Sequence, residues 1–382
     1  MRIGIDSRFA VMKRRGIGNY TLNLIRNLAE IDSANQYILY TDRDDSDRVL
    51  PMQANFRVSK LLPSNYPMWE QIILPMQVKK DCVDILHCSG NTAPVLLNKR
   101  TKLISTIHDV MYLKDSTEMA ESPSLYQRAG RVYRKAIVTR SAKRLAMAIT
   151  VSKYSKNDIR KHITGLRNED IRITYEAADA CFRTVSKAEA AQKIKNRFKM
   201  TGDYIMTLGA VDPRKNTELV IREFINLKKE LSIKEKLLIA GVPDWRQTRL
   251  FRIARDSNYS DDIAFLDFVS MEELVLLYNA AKVFLYPSLY EGFGIPPLEA
   301  MACGVPVITS NTTSIPEVVG DAALLIDPTD GQALRCTLVK LLGDKALREE
   351  LADRGVRQAH KFSWRKMAEE TLKTYEEVYR VH

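Results

Sequence analysis

What this sequence lacks narrows it first. No run of about 18 apolar residues occurs among its 382 residues, so no membrane-spanning helix is expected. The opening Met1-Arg-Ile-Gly-Ile-Asp6 reads as a strand, because a secretory signal needs a longer apolar region behind its basic residue. Five cysteines (Cys82, Cys88, Cys181, Cys303 and Cys336) form no CxxC pair. That argues against structural zinc and for a reducing, cytoplasmic setting. The dinucleotide fingerprint is incomplete, since Gly16-x-Gly18 is followed by Thr21 where a third glycine belongs. Basic and aromatic residues are not interleaved as in known nucleic-acid modules, so no nucleic-acid partner is expected. No low-complexity segment or short repeat appears.

What is present describes a soluble globular chain. Apolar residues make up 45% and charged residues 27%, enough to fill proper cores, and the length predicts two domains of about 150–200 residues. The formal charge of +11 implies acidic partners: nucleotide phosphates, anionic lipid or nucleic acid. The first half alternates strands and helices, as parallel-sheet proteins do. Strands are expected at Arg2–Asp6, Gln36–Tyr40, Ile85–His87, Lys102–Ile107 and Ala148–Val151. Helices are expected at Gly18–Glu30, Trp69–Lys80, Leu125–Ala146 and Ser155–His162. The segment Ile171–Ala180 reads as a crossing, after which a second alternating series begins. Its strands are Tyr204–Leu208, Lys236–Ala240, Ile263–Leu266, Val283–Tyr286 and Val305–Thr309. Its helices include Glu218–Glu230, Trp245–Asp256 and Met271–Ala281, and the tail from Gly331 onward is almost wholly helical.

The most informative stretch is Glu291-Gly-Phe-Gly-Ile-Pro-Pro-Leu-Glu299. It follows the apolar run Val283-Phe-Leu-Tyr286 and opens a helix whose first turn suits Pro296 and Pro297. Strand, glycine loop and helix start together aim backbone N–H groups at an anion. Gly292 and Gly294, lacking a Cβ, let a ligand approach the backbone closely. Glu291 and Glu299 would repel phosphate but are suited to accept hydrogen bonds from sugar or ribose hydroxyls. An ordinary turn with two solvated glutamates is the alternative.

This stretch resembles the E-x7-E motif of retaining glycosyltransferases of family 4, the group 1 glycosyl transferases. The likeness continues in register through Pro287-Ser-Leu-Tyr290, Glu299-Ala-Met-Ala-Cys-Gly-Val-Pro-Val307, Ser310-Asn311, Ile315-Pro-Glu-Val318 and Gly320-Asp-Ala322. It covers essentially the whole chain and is most specific over residues 204–328. The resemblance implies the GT-B fold, an α/β architecture of two Rossmann-like doubly wound domains facing across a cleft. Residues 1–180 would form the acceptor-binding domain and 181–363 the nucleotide-sugar domain, with a last helix over 364–382 packing back on the first.

Roles for other residues follow from the resemblance. In Gly209-Ala-Val-Asp-Pro-Arg-Lys-Asn216, Lys215 matches the family lysine on the donor diphosphate. Ala210 stands where an arginine is usual, so that contact is either lost or supplied by Arg214. Gly16 and Gly18 correspond to the N-terminal glycine loop facing the donor phosphate, joined there by Phe293, Gly294 and Ile295. His108, at a strand end and followed by Asp109, would lie beside the donor sugar, together with Glu291, Gly292 and Phe293. Glu299 would hold the ribose. His108, Glu291 and Lys215 are thus the expected catalytic residues. The family works without a metal and retains anomeric configuration, so no cofactor is expected. Asp42-Arg-Asp-Asp45, despite its DxD spacing, reads as a solvated loop. Ser155 reads as a helix N-cap.

The Gly-Phe-Gly-Ile-Pro-Pro-Leu-Glu version of the motif looks most like bacterial mannosyltransferases of polysaccharide assembly. GDP-mannose is the expected donor, and a glycan or lipid-linked molecule the acceptor. The basic amphipathic helix over residues 125–144, with Arg128, Arg131, Arg134, Lys135, Arg140, Lys143 and Arg144, either rests on an anionic membrane or solvates its charged face. Two competing functions remain distinguishable. A nucleotide-sugar epimerase of the same fold would need no acceptor, and a nucleic-acid-binding protein would show salt-dependent DNA affinity.

Overall fold

The computed structural model describes residues 1–12, 16–114 and 125–380, with side chains described for all of these except 125–128. The described residues divide into two compact units. One contains the chain up to Lys114, residues 125–176, and Ser363 to Arg380; the other spans Ala177–Phe362.

The first unit is built on seven strands: β1 (Arg2–Asp6), β2 (Gln36–Thr41), β3 (Phe56–Lys60), β4 (Ile85–Cys88), β5 (Lys102–Thr106), β6 (Leu145–Thr150) and β7 (Ile171–Ile173). They lie in the order β3-β2-β1-β4-β5-β6-β7, every neighbour parallel. Central strands are covered on both faces, so they are apolar at successive positions rather than alternate ones. Ile85 and Leu86 on β4 are both inaccessible to solvent. The helix Gly16–Ile31 buries Tyr20, Leu24, Ile25 and Leu28. It packs against the C-terminal helix Trp364–Arg380, where the Tyr20 and Trp364 rings meet edge to face at 6.3 Å. That last helix is therefore part of the first unit, although the preceding 186 residues, Ala177–Phe362, build the other.

The second unit has a six-stranded parallel sheet: β8 (Tyr204–Leu208), β9 (Lys236–Ala240), β10 (Ile263–Leu266), β11 (Val283–Tyr286), β12 (Val307–Ser310) and β13 (Leu324–Ile326), in the order β10-β9-β8-β11-β12-β13. Helix Thr217–Glu230 covers one face through Val220, Ile221, Phe224 and Leu227. In both sheets the order reverses beside the first strand of the unit, and at such a point the loops at the carboxyl ends diverge and leave a crevice.

Several elements differ from the sequence expectation. Strands β3, β7 and β13 were not foreseen, and each forms an edge of its sheet. An edge strand is buried on fewer sides, and β3 shows it, with Arg57, Val58 and Lys60 exposed. The expected helix Trp245–Asp256 breaks into a 3-10 turn, Trp245–Gln247, and a helix, Arg249–Arg255, because the Thr248 hydroxyl caps the second by accepting the Phe251 amide. The expected helix over Leu125–Ala146 ends at Ser141, and β6 already begins at Leu145. Ser152 rather than Ser155 caps the helix Lys153–His162, accepting the Ser155 amide at 3.0 Å. The Asp42–Asp45 loop ties its carboxylates locally: Asp42 holds Arg43, Asp44 pairs with Lys60, and Asp45 accepts the Val49 and Leu50 amides. No helix among the described residues is long and apolar enough to cross a membrane.

The C-terminal helix is locked by His87. Its Nδ1 meets the Tyr375 hydroxyl at 2.6 Å and its Nε2 the Thr106 hydroxyl at 2.8 Å. Full burial pushes the imidazole down to about 3, with a smaller contribution from His108. The native state then binds fewer protons than the unfolded chain below the ordinary histidine pKa. Stability from this site is complete above about pH 6.5 and is lost as pH falls toward 3. The melting temperature of the wild type is expected to fall on acidification through that window. In His87→Gln, the drop between pH 7 and 5 should be visibly shallower.

Candidate active site

Strand β8 ends at Leu208, and Gly209 follows in a space where a Cβ would stand 2.4 Å from Ile239 Cγ2. Only glycine lets the chain turn so close to β9. Asp212 then organises the loop. Its carboxylate accepts the Arg214 amide at 3.1 Å and starts the 3-10 turn Pro213–Lys215. Asn216 adopts a left-handed conformation, φ 56°, and its side-chain amide donates to the carbonyls of Pro287 and Pro328. The loop after β8 is thereby sewn to the loop after β11.

This brings Lys215 to Glu291. Lys215 Nζ lies 2.7 Å from Glu291 Oε1 and donates to the Tyr286 hydroxyl at 2.9 Å. The same Oε1 accepts from the Tyr286 hydroxyl at 2.9 Å and from Ser288 Oγ at 2.7 Å. Burial works against both charges, but each outweighs it for the other. The ammonium is held above its ordinary pKa by Glu291 and Tyr286. The carboxylate is held below its own by Lys215, Ser288 and Tyr286. Of three ammonium donors one remains, and Glu291 Oε2 has no partner among the described residues. The pair can therefore present one positive donor and one anionic acceptor side by side.

The second half of the motif is rigid. Gly294 takes φ 114°, and a Cβ there would meet Ile315 Cδ1 at 2.6 Å. The buried Phe293 ring packs edge-on to Phe362, and its carbonyl accepts from Ser314 Oγ at 2.7 Å. Gly292 is half-buried. Helix Ile295–Ala302 begins at Ile295, but Pro296 and Pro297 carry no N–H. Donors at this helix start thus reduce to the Gly294 and Ile295 amides, for which no protein partner is found among the described residues. Thr313, β-branched yet at φ 60°, accepts the Glu291 amide. Strain of that kind clusters at functional sites.

Glu299 sits one helical turn inside, half-buried, accepting from the Tyr278 hydroxyl at 3.3 Å. Burial pushes its carboxyl up to about 7, aided by Asp179 and opposed by the Tyr278 bond. Arg214 departs from expectation. Its guanidinium folds back on Asp212, Nε 3.0 Å from both carboxylate oxygens. Both cations of the loop thus face a carboxylate of their own, so the loop is close to neutral, where the sequence had read two open charges. Asp212, Tyr286, Ser288, Thr313 and Tyr278 were not foreseen. Asp212 alone had a local signal, an acid before Pro-Arg-Lys.

In the first unit His108 follows β5. Its backbone amide donates to Asn91 Oδ1 at 2.7 Å, and Nε2–H donates to the Ser89 carbonyl at 3.0 Å. Nδ1 lies 3.2 Å from Glu176 Oε1. Both ring nitrogens are engaged by the protein, where the resemblance implied a residue lying beside the donor sugar. Gly16 is exposed at the first residue of its helix and Gly18 is buried two residues on. Residues 13–15, just before them, lie outside the described residues, as does the side chain of Arg128.

Two parallel α/β units, with a charged, glycine-shaped loop pair at the carboxyl edge of the second, have the architecture of the GT-B fold. The description "Glycosyltransferase Family 4" matches residues 14–180 and "Glycosyl transferases group 1" matches residues 188–358. The chain belongs to this family. It is 28% identical over 377 residues to the O-antigen chain mannosyltransferase B of Escherichia coli, covering 94% of this chain and 95% of that protein. Sucrose-phosphate synthase from Thermosynechococcus elongatus superposes with a TM-score of 0.77 at 20% identity, each chain covered completely. Anabaena Alr3699/HepE, solved with UDP and glucose, gives 0.72 at 16% identity, covering 98% of this chain and 99% of that one.

Because Gly294 combines a left-handed backbone with a filled Cβ position, Gly294→Ala is expected to cost about 1–3 kcal/mol. Chemical denaturation should show that loss, whereas Gly16→Ala, with open space at its Cβ, should change stability far less.

Proposed function

We propose that this enzyme moves a hexose, mannose from GDP-mannose, onto a glycan or lipid-linked acceptor in bacterial polysaccharide assembly, with retention and without a metal. The observation that carries the proposal is the Lys215–Glu291 pair, which leaves an ammonium N–H and a carboxylate oxygen available together. Mannose as the sugar is supported by the end-to-end similarity to an O-antigen mannosyltransferase.

Leaving of the diphosphate places negative charge on its oxygens and positive charge on the sugar ring. Lys215 and the amides of Gly294 and Ile295 receive the first, and preorganised donors of this kind contribute roughly 3–4 kcal/mol each. Arg214 joins them only by exchanging part of its bond to Asp212. Glu291 Oε2 takes the sugar hydroxyls, beside Gly292 and Phe293. Glu299 takes the ribose diol. His108 acts beside the donor sugar, with its ring oriented by Glu176 and Ser89. The departing phosphate accepts the proton of the attacking hydroxyl on the same face, so no separate base is required. The enzyme works in the cytoplasm, with the basic helix Leu125–Ser141 toward the inner face of the membrane. Arg131 is not available for that surface, since its guanidinium donates to the carbonyls of Tyr112 and Lys114.

Thermal-shift screening with GDP, UDP and ADP tests the donor; stabilisation by UDP or ADP in place of GDP would overturn the mannose assignment. Product anomers read by NMR test retention, and turnover in a chelator tests metal independence. Lys215→Met is expected to lower turnover by about 10²–10³-fold and to destabilise the fold by leaving Glu291 buried and unpaired. Adding Glu291→Gln should restore the melting temperature and leave turnover low. A double variant that regained turnover would remove Lys215 from the chemistry.

Ribose hydroxyls donate to an ionised Glu299, whereas the free carboxyl is half protonated at about pH 7. Donor binding should therefore weaken as pH falls below 7. In Glu299→Gln, nucleotide titrations at pH 6 and 8 should give the same Kd.

A further inference from the structure

From Leu61 to Val78 the only charged residue is Glu70, and it is completely buried. The same stretch exposes Leu62 by 63%, Met68 by 44%, Ile72 by 49% and Met76 by 54%. These residues lie on a short loop after β3 and on a helical rod made of Tyr66–Met68, a π-turn at Trp69–Ile73, and Leu74–Lys80. Met68, Ile72 and Met76 are four residues apart and so share one face. Lys79 and Lys80, both exposed, close that face at its end.

The opposite face is pinned hard. Trp69 and Leu74 are inaccessible, and the Trp69 indole donates to the Leu61 carbonyl at 3.2 Å. Arg8, held by Asp6 at the end of β1, stacks 3.8 Å over the Trp69 ring. Glu70 accepts from Thr92 and from Tyr133, each at 2.6 Å. The apolar outer face is thus held outward by a buried network and is not a frayed segment. At its border Gln71 bonds Ala93, Val95 and Tyr133, and the chain neighbours of the last two, Leu96 and Val132, are 74% and 67% exposed. Past Leu96 come exposed Lys99 and Arg100. None of Lys79, Lys80, Lys99 and Arg100 makes an ion pair with a carboxylate among the described residues.

We propose that this face is a docking surface for an anionic lipid bilayer. Leu62, Met68, Ile72 and Met76 enter the boundary between headgroups and acyl chains while the lysines engage lipid phosphates. The charge pattern favours lipid over a second copy of this chain. In a two-fold contact through the same face, the second copy's Leu61–Val78 stretch, whose one acid Glu70 is buried, would offer these basic residues no carboxylate. The surface adjoins the basic helix Leu125–Ser141 through Gln71, Glu70 and Tyr133 but is built on other residues, and it requires no assumption about which nucleotide is bound.

The test is cosedimentation of the full chain with vesicles. Wild type is expected to pellet with phosphatidylglycerol-containing vesicles and to bind pure phosphatidylcholine at least tenfold more weakly. Ile72→Glu with Met76→Glu should reduce binding tenfold or more, and Lys79→Glu with Lys80→Glu should abolish the preference for anionic lipid. Both pairs lie on the exposed face, so circular dichroism and the nucleotide-induced thermal shift should match wild type, which separates this outcome from any failure of the donor assignment. Ile72→Ser with Met76→Ser provides a milder pair if the glutamates disturb folding. Wild type that ignores anionic vesicles, serine and glutamate variants that bind as tightly as wild type, or a dimer dissolved by the glutamates without vesicle binding would each overturn the proposal.

Discussion

A lysine and a glutamate 76 positions apart share one half-buried hydrogen bond, and the carboxyl edge of the second unit's sheet is arranged to permit it. Removing one partner of such a pair strands a charge away from water at a cost of several kcal/mol. Neither loop can therefore drift without the other. The sewing between them is extensive: Asn216 bonds the Pro287 carbonyl, the Leu289 amide donates to the Arg214 carbonyl, Ser288 Oγ donates to Glu291, and Ser314 Oγ holds the Phe293 carbonyl from the following loop. A buried ion pair is weak evidence for stability, since desolvation consumes most of its attraction. Its value here is positional. It fixes a cation and an anion at hydrogen-bonding distance while leaving each one open valence.

The electrostatics of that edge are more balanced than the overall charge suggests. Asp212 neutralises Arg214, and Glu291 neutralises Lys215. The excess of positive charge, +11 for the chain, consequently belongs to other surfaces, including Lys79, Lys80, Lys99 and Arg100. The first unit repeats the theme with different residues. At the carboxyl ends of its strands, Asp6, Arg8 and Glu70 form a buried cluster in which Arg8 lies 3.5 Å from Glu70. Burial raises the Glu70 carboxyl, and Arg8, Thr92 and Tyr133 pull the other way. In each unit the loops at this edge are where polar groups can be buried and still find partners, because the strands themselves have already spent their backbone donors and acceptors on the sheet.

Much was legible from the chain alone, and for a local reason. Alternating apolar strands and amphipathic helices give a parallel α/β architecture because period and connection length are properties of neighbouring residues. The glycines at 209 and 294, the prolines at a helix start, and two glutamates eight positions apart are likewise readable in order. They marked the two loops that meet at the Lys215–Glu291 pair. What resisted reading was non-local. The strands β3, β7 and β13 are edges with little burial to imprint a pattern, and they exist because a neighbour supplies their hydrogen bonds. The fate of a charge was equally hidden. Lys215 is written beside Arg214, yet one turns to Glu291 and the other to Asp212. His108 ends its strand as expected, but Ser89 and Glu176 claim its ring from distant segments. Glu299 is pushed up to about 7 only because the folded core buries it, with Asp179 nearby and the Tyr278 bond pulling the other way. Residue order thus determined the repeating architecture and the places where the backbone must bend. The tertiary structure alone decided which charges meet and how far they are from water, because Coulomb and solvation energies depend on distances through space that the order of residues does not contain.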